Sequence, residues 1–176
     1  MKDLQSKILE LAKNSNACND QFLRCKNATN ERELLQVVKD NFSWCYSKKV
    51  ITPELLDEFT TEALIEFGIY HKGIYPKIEN LKGLILCGSV TVKMLGNSTV
   101  TEMWDNSTVT EMRDNSTVIK MWDNSTVIKM WGNSTVTEMW DNSTVTEMRD
   151  NSTVIKMWDN STVIKMWGNS TVTEMW

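Results

Sequence analysis

From Asn97 onward the hydrophobic and polar positions recur every nine residues without a break. The unit reads Asn-Ser-Thr-Val-(Thr/Ile)-(Glu/Lys)-Met-(Trp/Arg)-(Asp/Gly). Full copies start at Asn97, Asn106, Asn115, Asn124, Asn133, Asn142, Asn151 and Asn160, and a last one from Asn169 stops one residue short at Trp176. The Ser-Thr-Val-(Thr/Ile) stretch is β-branched and poor for helix. A turn dipeptide, Asp-Asn or Gly-Asn, punctuates it at every repeat. Each unit therefore predicts one strand and one corner. Such a unit buries little alone and must stack on its own kind.

The differences between units fix how they stack. The sixth position runs Glu102, Glu111, Lys120, Lys129, Glu138, Glu147, Lys156, Lys165, Glu174. If each unit stacks on the next but one, every Glu meets a Lys above and below. Stacking on the next unit, or the third, puts like charges together, which is unfavourable for opposed strand neighbours. The eighth position obeys the same rule. One row is all indole: Trp104, Trp122, Trp140, Trp158, Trp176. The other alternates Arg113, Trp131, Arg149, Trp167, an order suited to guanidinium-on-indole contacts. The prediction is a two-sided parallel β-solenoid with an 18-residue coil, two nonads per coil, and rungs about 4.8 Å apart.

Strict alternation would turn Thr (third), Thr/Ile (fifth) and Met (seventh) inward and leave the charged sixth position in water. The expectation is that Met and Thr/Ile face in. Val stays open, since a bulge between Val and Met would bring it inside as well. The Asn at each corner is placed for an amide ladder. The (Gly/Asp)-Asn-Ser-Thr-Val punctuation, as in Gly96-Asn97-Ser98-Thr99-Val100, resembles bacterial short-repeat β-solenoid proteins with (Gly/Asp)-Asn-(Ala/Ser)-Thr-Val units. Those units often carry an aromatic before the Gly/Asp, as Trp104 precedes Asp105 here. The resemblance covers about 80 residues. It implies a solenoid and no particular activity. The Gly-Gly-x-Gly-x-Asp loop of calcium-binding nonapeptide rolls is absent, so no calcium is expected.

Ahead of the repeat the period changes to that of helices. Leu4, Ile8, Leu9 and Leu11 form a stripe that ends near Asn14-Ser15-Asn16, and Phe22, Leu23 and Cys25 mark a second segment. A third starts with Asn30 as cap and Glu33 three residues on, and runs through Leu34, Leu35, Val37 and Val38 toward Phe42, Trp44 and Cys45. Thr52 and Pro53 start a fourth, with stripe Leu55, Leu56, Phe59, Ala63, Leu64, Phe67 and a stop at Gly68. The fold class is thus α+β. A small helical domain, residues 1–68, caps the solenoid; a linker around Gly73 and Pro76 spans 69–81; the solenoid covers 82–176. Within it Leu84-Ile85-Leu86-Cys87 reads as a first, more apolar strand, and Gly88–Gly96 as an imperfect repeat.

Charge narrows the function classes. The part through Gly96 is net +1 and the repeats are net −5, which together give −4. That argues against nucleic acid, which needs a basic footprint. No apolar run is long enough to span a membrane and no signal-peptide core is present, so no membrane insertion and a cytoplasmic location are expected. Cys18, Cys25, Cys45 and Cys87 lack metal-ligand spacing, with His71 the one histidine, and read as buried free thiols. No cofactor or metal is expected. A catalytic Cys45–His71 pair has no motif behind it, so an enzyme is not expected. The Asp row Asp105, Asp123, Asp141, Asp159 reads as turn residues. Stacked indoles either shield each other and the rung edges or expose an apolar strip, and large exposed patches mark contacts. The expected role is structural: a rigid scaffold forming a homo-oligomer through the Trp face or an uncapped C-terminal rung at Trp176, or binding another protein. The alternative is a glycan- or surface-binding module using the Trp ladder.

Overall fold

The computed structural model describes residues 2–176. The chain forms two compact units, one up to Ile69 and one from Tyr70 to Trp176.

The first unit is helical: α1 (Lys2–Asn14), α2 (Asn19–Asn27), α3 (Glu31–Asp40), α4 (Phe42–Ser47), α5 (Pro53–Leu56) and α6 (Thr61–Glu66). Leu4, Ile8 and Ala12 make the buried stripe of α1 at a spacing of one turn. The expected start of α3 is present. Asn30 Oδ1 accepts from the Glu33 amide at 3.0 Å, and the Glu33 carboxylate reaches back to the Thr29 amide at 2.7 Å. The Thr52 cap and first-turn Pro53 of α5 are likewise formed. The helix expected to follow them is broken, however. Thr60 caps a fresh start by accepting from the Ala63 amide at 3.4 Å, while its own amide and hydroxyl are held by Glu31 at 2.7 and 2.8 Å. A local side-chain cap plus a distant carboxylate outcompete continuation of α5. The third expected helix is similarly divided at Asn41, whose backbone leaves the helical region.

The second unit is a parallel β-solenoid. Its strands are β1 (Ile69–Glu79), β2 (Leu84–Leu95), β3 (Thr99–Met103), β4 (Thr108–Met112), β5 (Thr117–Met121), β6 (Thr126–Met130), β7 (Thr135–Met139), β8 (Thr144–Met148), β9 (Thr153–Met157), β10 (Thr162–Met166) and β11 (Thr171–Met175). From β2 outward pairing skips one strand on each side, in the order β10-β8-β6-β4-β2-β3-β5-β7-β9-β11, with β2 and β3 joined at the centre. Strand β2 turns the corner at Gly88 (φ 63°), so its first half pairs with β3 and its second half with β4. The two sides of the solenoid grow from there. Thr stacks on Thr, Val on Val and Met on Met, and Glu meets Lys at each rung, as in Glu102–Lys120–Glu138–Lys156. The 18-residue coil inferred from charge alternation is the observed one.

Residues 69–81, expected as a linker, are strand through Glu79, and β1 pairs with β2. Pro76 is compatible with this because β1 lies off the main ladder, where a missing donor is tolerated. The stacking also begins earlier than residue 82. Asn80 has φ 58° and accepts from the Asn97 amide at 3.0 Å, and Ile78 O accepts from the Ser98 hydroxyl at 3.2 Å.

The facing of the strand differs from strict alternation. Val and Met of each inner repeat are fully buried, whereas the fifth-position Thr/Ile lies at the surface. The first coil explains why. Val92 pairs with Val109 and Lys93 with Glu111, which jumps over Thr110; Leu84 pairs with Val100 and Ile85 with Glu102, which jumps over Thr101. The left-handed corners Asn80, Gly88 and Gly96 are eight residues apart, and from Gly96 to Asp105 the spacing becomes nine. The nonad is therefore an eight-residue rung with one residue bulged outward at the fifth position. The bulge resets the alternation and brings Met to the same side as Val. The second-position serines, Ser107 and Ser125 among them, are fully buried as well.

The ninth position is always at positive φ, 55–60° for the six aspartates and 63–68° for Gly96, Gly132 and Gly168. That backbone excludes most side chains and leaves Gly, Asn and Asp. Asp adds a bond: Asp123 Oδ2 accepts from the Asp105 amide one rung away at 3.2 Å, and Asp141 Oδ2 from the Asp123 amide at 3.3 Å. Replacing Asp123 by Val is therefore expected to destabilise the solenoid by about 2 kcal/mol, from left-handed strain and the lost acceptor. Asp123→Gly loses the acceptor alone and should cost less than half of that. Denaturant midpoints of the two variants provide the comparison, and equal losses would contradict the corner argument.

Candidate interaction faces

The eighth residue of each nonad follows Met, the last buried residue of the rung, and so projects from the corner. On one side this builds the row Trp104, Trp122, Trp140, Trp158, Trp176. Successive ring centroids lie 5.3, 5.2, 5.0 and 5.4 Å apart with planes within 15° of parallel. The in-register 18-residue coil imposes that spacing, and the tilt offsets the rings from a direct sandwich. Each indole covers the face of the next. Trp104 is accordingly 8% exposed and Trp122, Trp140 and Trp158 are partly buried, while Trp176 is 72% exposed. The expected broad apolar strip is thus narrower than five free indoles would make it, and along the inner rungs it presents ring edges.

On the other side Trp131 lies between two guanidinium groups, with Arg149 4.6 Å and Arg113 6.0 Å from the ring centroid. The alternation of Arg and Trp thus produces the expected cation–π contacts. Trp167, at the far end of this row, is 57% exposed.

The sixth and eighth positions are also coupled within each rung. Trp104 and Trp140 donate from Nε1 to Glu102 and Glu138, two residues earlier, at 2.8 and 3.3 Å. Arg113 pairs with Glu111 at 2.5 Å, and Arg149 with Glu147. Where the sixth residue is Lys the eighth is Trp, as in Lys120–Trp122 and Lys156–Trp158, and Arg never follows Lys at this spacing. Two cations at that separation would repel, whereas Lys120 Nζ lies 6.0 Å from the Trp122 ring. This pairing was visible in the sequence once the sixth and eighth positions were read together. Between rungs Lys93 and Glu111 approach to 2.5 Å, and Lys120–Glu138 and Lys156–Glu174 lie near 4 Å. Partial burial would raise the Glu111 carboxyl, but Lys93 and Arg113 outweigh it and hold the group below the ordinary glutamate range.

The corner asparagines form a ladder along one row: Asn115, Asn133, Asn151 and Asn169 each donate to the amide oxygen one rung back at 3.2–3.4 Å. The chemistry elsewhere is sparse. Cys25, Cys45 and Cys87 are buried thiols outside any disulfide, but Cys18 is exposed, because it precedes α2 at its N-terminal cap instead of lying on a packed face. Burial pushes the Cys25 thiol up to about 11 and the Cys45 thiol to about 12, so both are protonated at neutral pH. Among the described residues no group of three His, Cys, Asp or Glu side chains is placed to hold a metal ion, and no helix is long and apolar enough to cross a membrane. No protein-family model, curated protein or solved structure matches the chain.

Proposed function

We propose that the protein is a non-enzymatic scaffold, a rigid β-solenoid that associates with a second copy of itself through the side bearing the Trp ladder. The observation that carries this reading is the juxtaposition of two straight rows, one of indole edges and one of alternating charge, in constant register over five rungs. The charge row is self-complementary only with an offset. Two copies placed antiparallel with Glu138 on the two-fold axis would oppose Glu102 to Glu174 and Lys120 to Lys156, which repel. A shift of one rung, about 4.8 Å, opposes Glu102 to Lys156 and Lys120 to Glu138. The overlapping strip is then only about 14 Å long; even at a width of about 20 Å it covers roughly 300 Å² per partner, short of the roughly 800 Å² of a stable complex. Weak, salt-sensitive association follows, and a protein partner of similar periodicity would use the same rows.

Glycan binding through the same ladder is the weaker reading. Sugar rings need an open aromatic face, and the inner indoles spend theirs on each other.

Light scattering coupled to size exclusion, across a concentration series, provides the test. Mass should rise with concentration from the 20.3 kDa monomer toward a dimer, and added salt should reverse the rise. Replacing Trp104, Trp122, Trp140 and Trp158 with Thr should hold the chain at monomer mass with its β circular dichroism retained. A monodisperse monomer at every concentration would remove self-association and leave a different partner to be sought.

A further inference from the structure

The helical unit contains a cavity of about 380 Å³ between α1, α2, α3 and α4. It is an open pocket: its floor is buried at Ile8, Ala12, Val38 and Cys45, and its rim, with exposed Asn16 and half-buried Gln21, Phe22 and Trp44, meets solvent. Its walls are mainly apolar, with Ile8 and Ala12 from α1, Phe22 from α2, Val38 from α3, and Val50. Among the described residues no acidic or basic side chain lines it. Two of the lining thiols, Cys25 and Cys45, are buried and protonated at neutral pH, so they add no charge. Cys18 also lines the cavity and is exposed, which marks where the space reaches solvent. Polar lining comes from the amides of Asn16, Gln21 and Asn41. Gln21 and Asn41 are fixed relative to each other by a 3.1 Å hydrogen bond, and Asn41 is tied to Val37 O at 2.8 Å. A concave, mostly apolar space of a few hundred Å³ with a few oriented polar groups is the usual form of a small-molecule site.

We propose that this cavity is a binding site for a small uncharged molecule, an aliphatic chain ending in one hydroxyl or carbonyl group. At about 30 Å³ per water-sized group the volume holds on the order of a dozen non-hydrogen atoms. The apolar wall takes the chain, and the amides of Asn16, Gln21 and Asn41 offer both donors and acceptors to its polar end. Arg24 donates to Gln21 Oε1 at 2.8 Å, but it is paired with Asp40 at 2.8 Å, so a charged head drawn into the space would lose hydration without gaining a free counter-ion. This site is independent of the solenoid's association.

Calorimetric titration of the full chain with 1-nonanol tests the assignment, with nonanoate as the charged analogue. One molecule of nonanol should bind per chain with micromolar affinity, and nonanoate at neutral pH should bind at least tenfold more weakly, on the order of the penalty for an unpaired charge. Nonanol should also slow alkylation of Cys18 by N-ethylmaleimide severalfold, since the thiol shares the cavity. Ala12→Phe, which fills the space, should abolish binding while helical circular dichroism is retained. If that variant does not fold, a series of alcohols on the unaltered chain decides the matter. Affinity should climb with chain length and then fall once the chain outgrows the cavity. Absence of saturable binding, equal binding of nonanoate, unslowed Cys18 alkylation, undiminished binding by folded Ala12→Phe, or affinity that climbs without a limit would each overturn the proposal.

Discussion

Replacing Ser107, Ser116, Ser125, Ser134, Ser143 and Ser152 together by Ala is expected to make the solenoid more stable, by several kcal/mol in total. Each of these serines is fully buried, and its hydroxyl has no hydrogen-bond partner among the described residues. A buried polar group left unpaired carries a desolvation penalty of about 1–3 kcal/mol. Alanine keeps the Cβ packing and removes the penalty, so about 1 kcal/mol per site is a conservative expectation. The gains should fall short of strict additivity, because serines one coil apart are stacked neighbours. Ser98 supplies the control. Its hydroxyl donates to Leu95 O at 2.8 Å and Ile78 O at 3.2 Å. Ser98→Ala should therefore lower stability by about 1 kcal/mol. Denaturant midpoints followed by β circular dichroism separate the two cases. A sixfold variant less stable than the parent would mean that the hydroxyls find partners in solution.

The serines also show where reading the sequence stops. The coil length was legible because Glu and Lys alternate at a lag of two units, and that one-dimensional regularity has a direct electrostatic cause. The corners were legible because Asp-Asn and Gly-Asn announce a left-handed backbone, and Asn30 and Thr52 announced helix starts for equally local reasons. The Trp and Arg rows followed once the coil length was known. What failed was inference from an assumed uninterrupted strand. Period-two alternation put Thr101 and Ile119 inside, but a bulged residue changes the parity of everything after it. The clue lay in the spacing of Gly88 and Gly96, which is one residue shorter than the later repeats. The facing of Ser has no local signal, because its burial depends on how a corner folds over its own core. Pro76 and Gly73 read as linker, although an outlying strand tolerates both. Between mutual shielding of the indoles and a bare strip the sequence does not choose, because shielding is a property of the stack and not of any one residue. The cavity among the helices has no sequence signal, since a gap between stripes is set by helix packing.

Truncating one side chain in the solenoid should damage it more than deleting an entire residue two positions earlier. Met139 is fully buried and stacks on Met121 below and Met157 above. Met139→Ala removes its side chain from the middle of that column, where rungs on both sides prevent collapse. A loss of about 2–5 kcal/mol is expected. Thr137 is the bulged fifth residue of the same rung and pairs with neither neighbour: the ladder runs from Val136 to Glu138 on both sides of it. Deleting it turns the rung into the eight-residue form already present in β2, which stacks on nonads without losing its Val, charge or Met partners. The deletion should cost no more than about 1–2 kcal/mol, the ordinary size of a change away from the core. Deleting Val136 instead slides Thr137 into the buried fourth position and places a hydroxyl in the core, adding about 1–3 kcal/mol to that figure. Unfolding midpoints should then order the variants as parent, Thr137 deletion, then Val136 deletion and Met139→Ala. If the Thr137 deletion were the most damaging, the fifth residue would be part of the pairing, and the account of the nonad as an eight-residue rung with an outward bulge would be wrong.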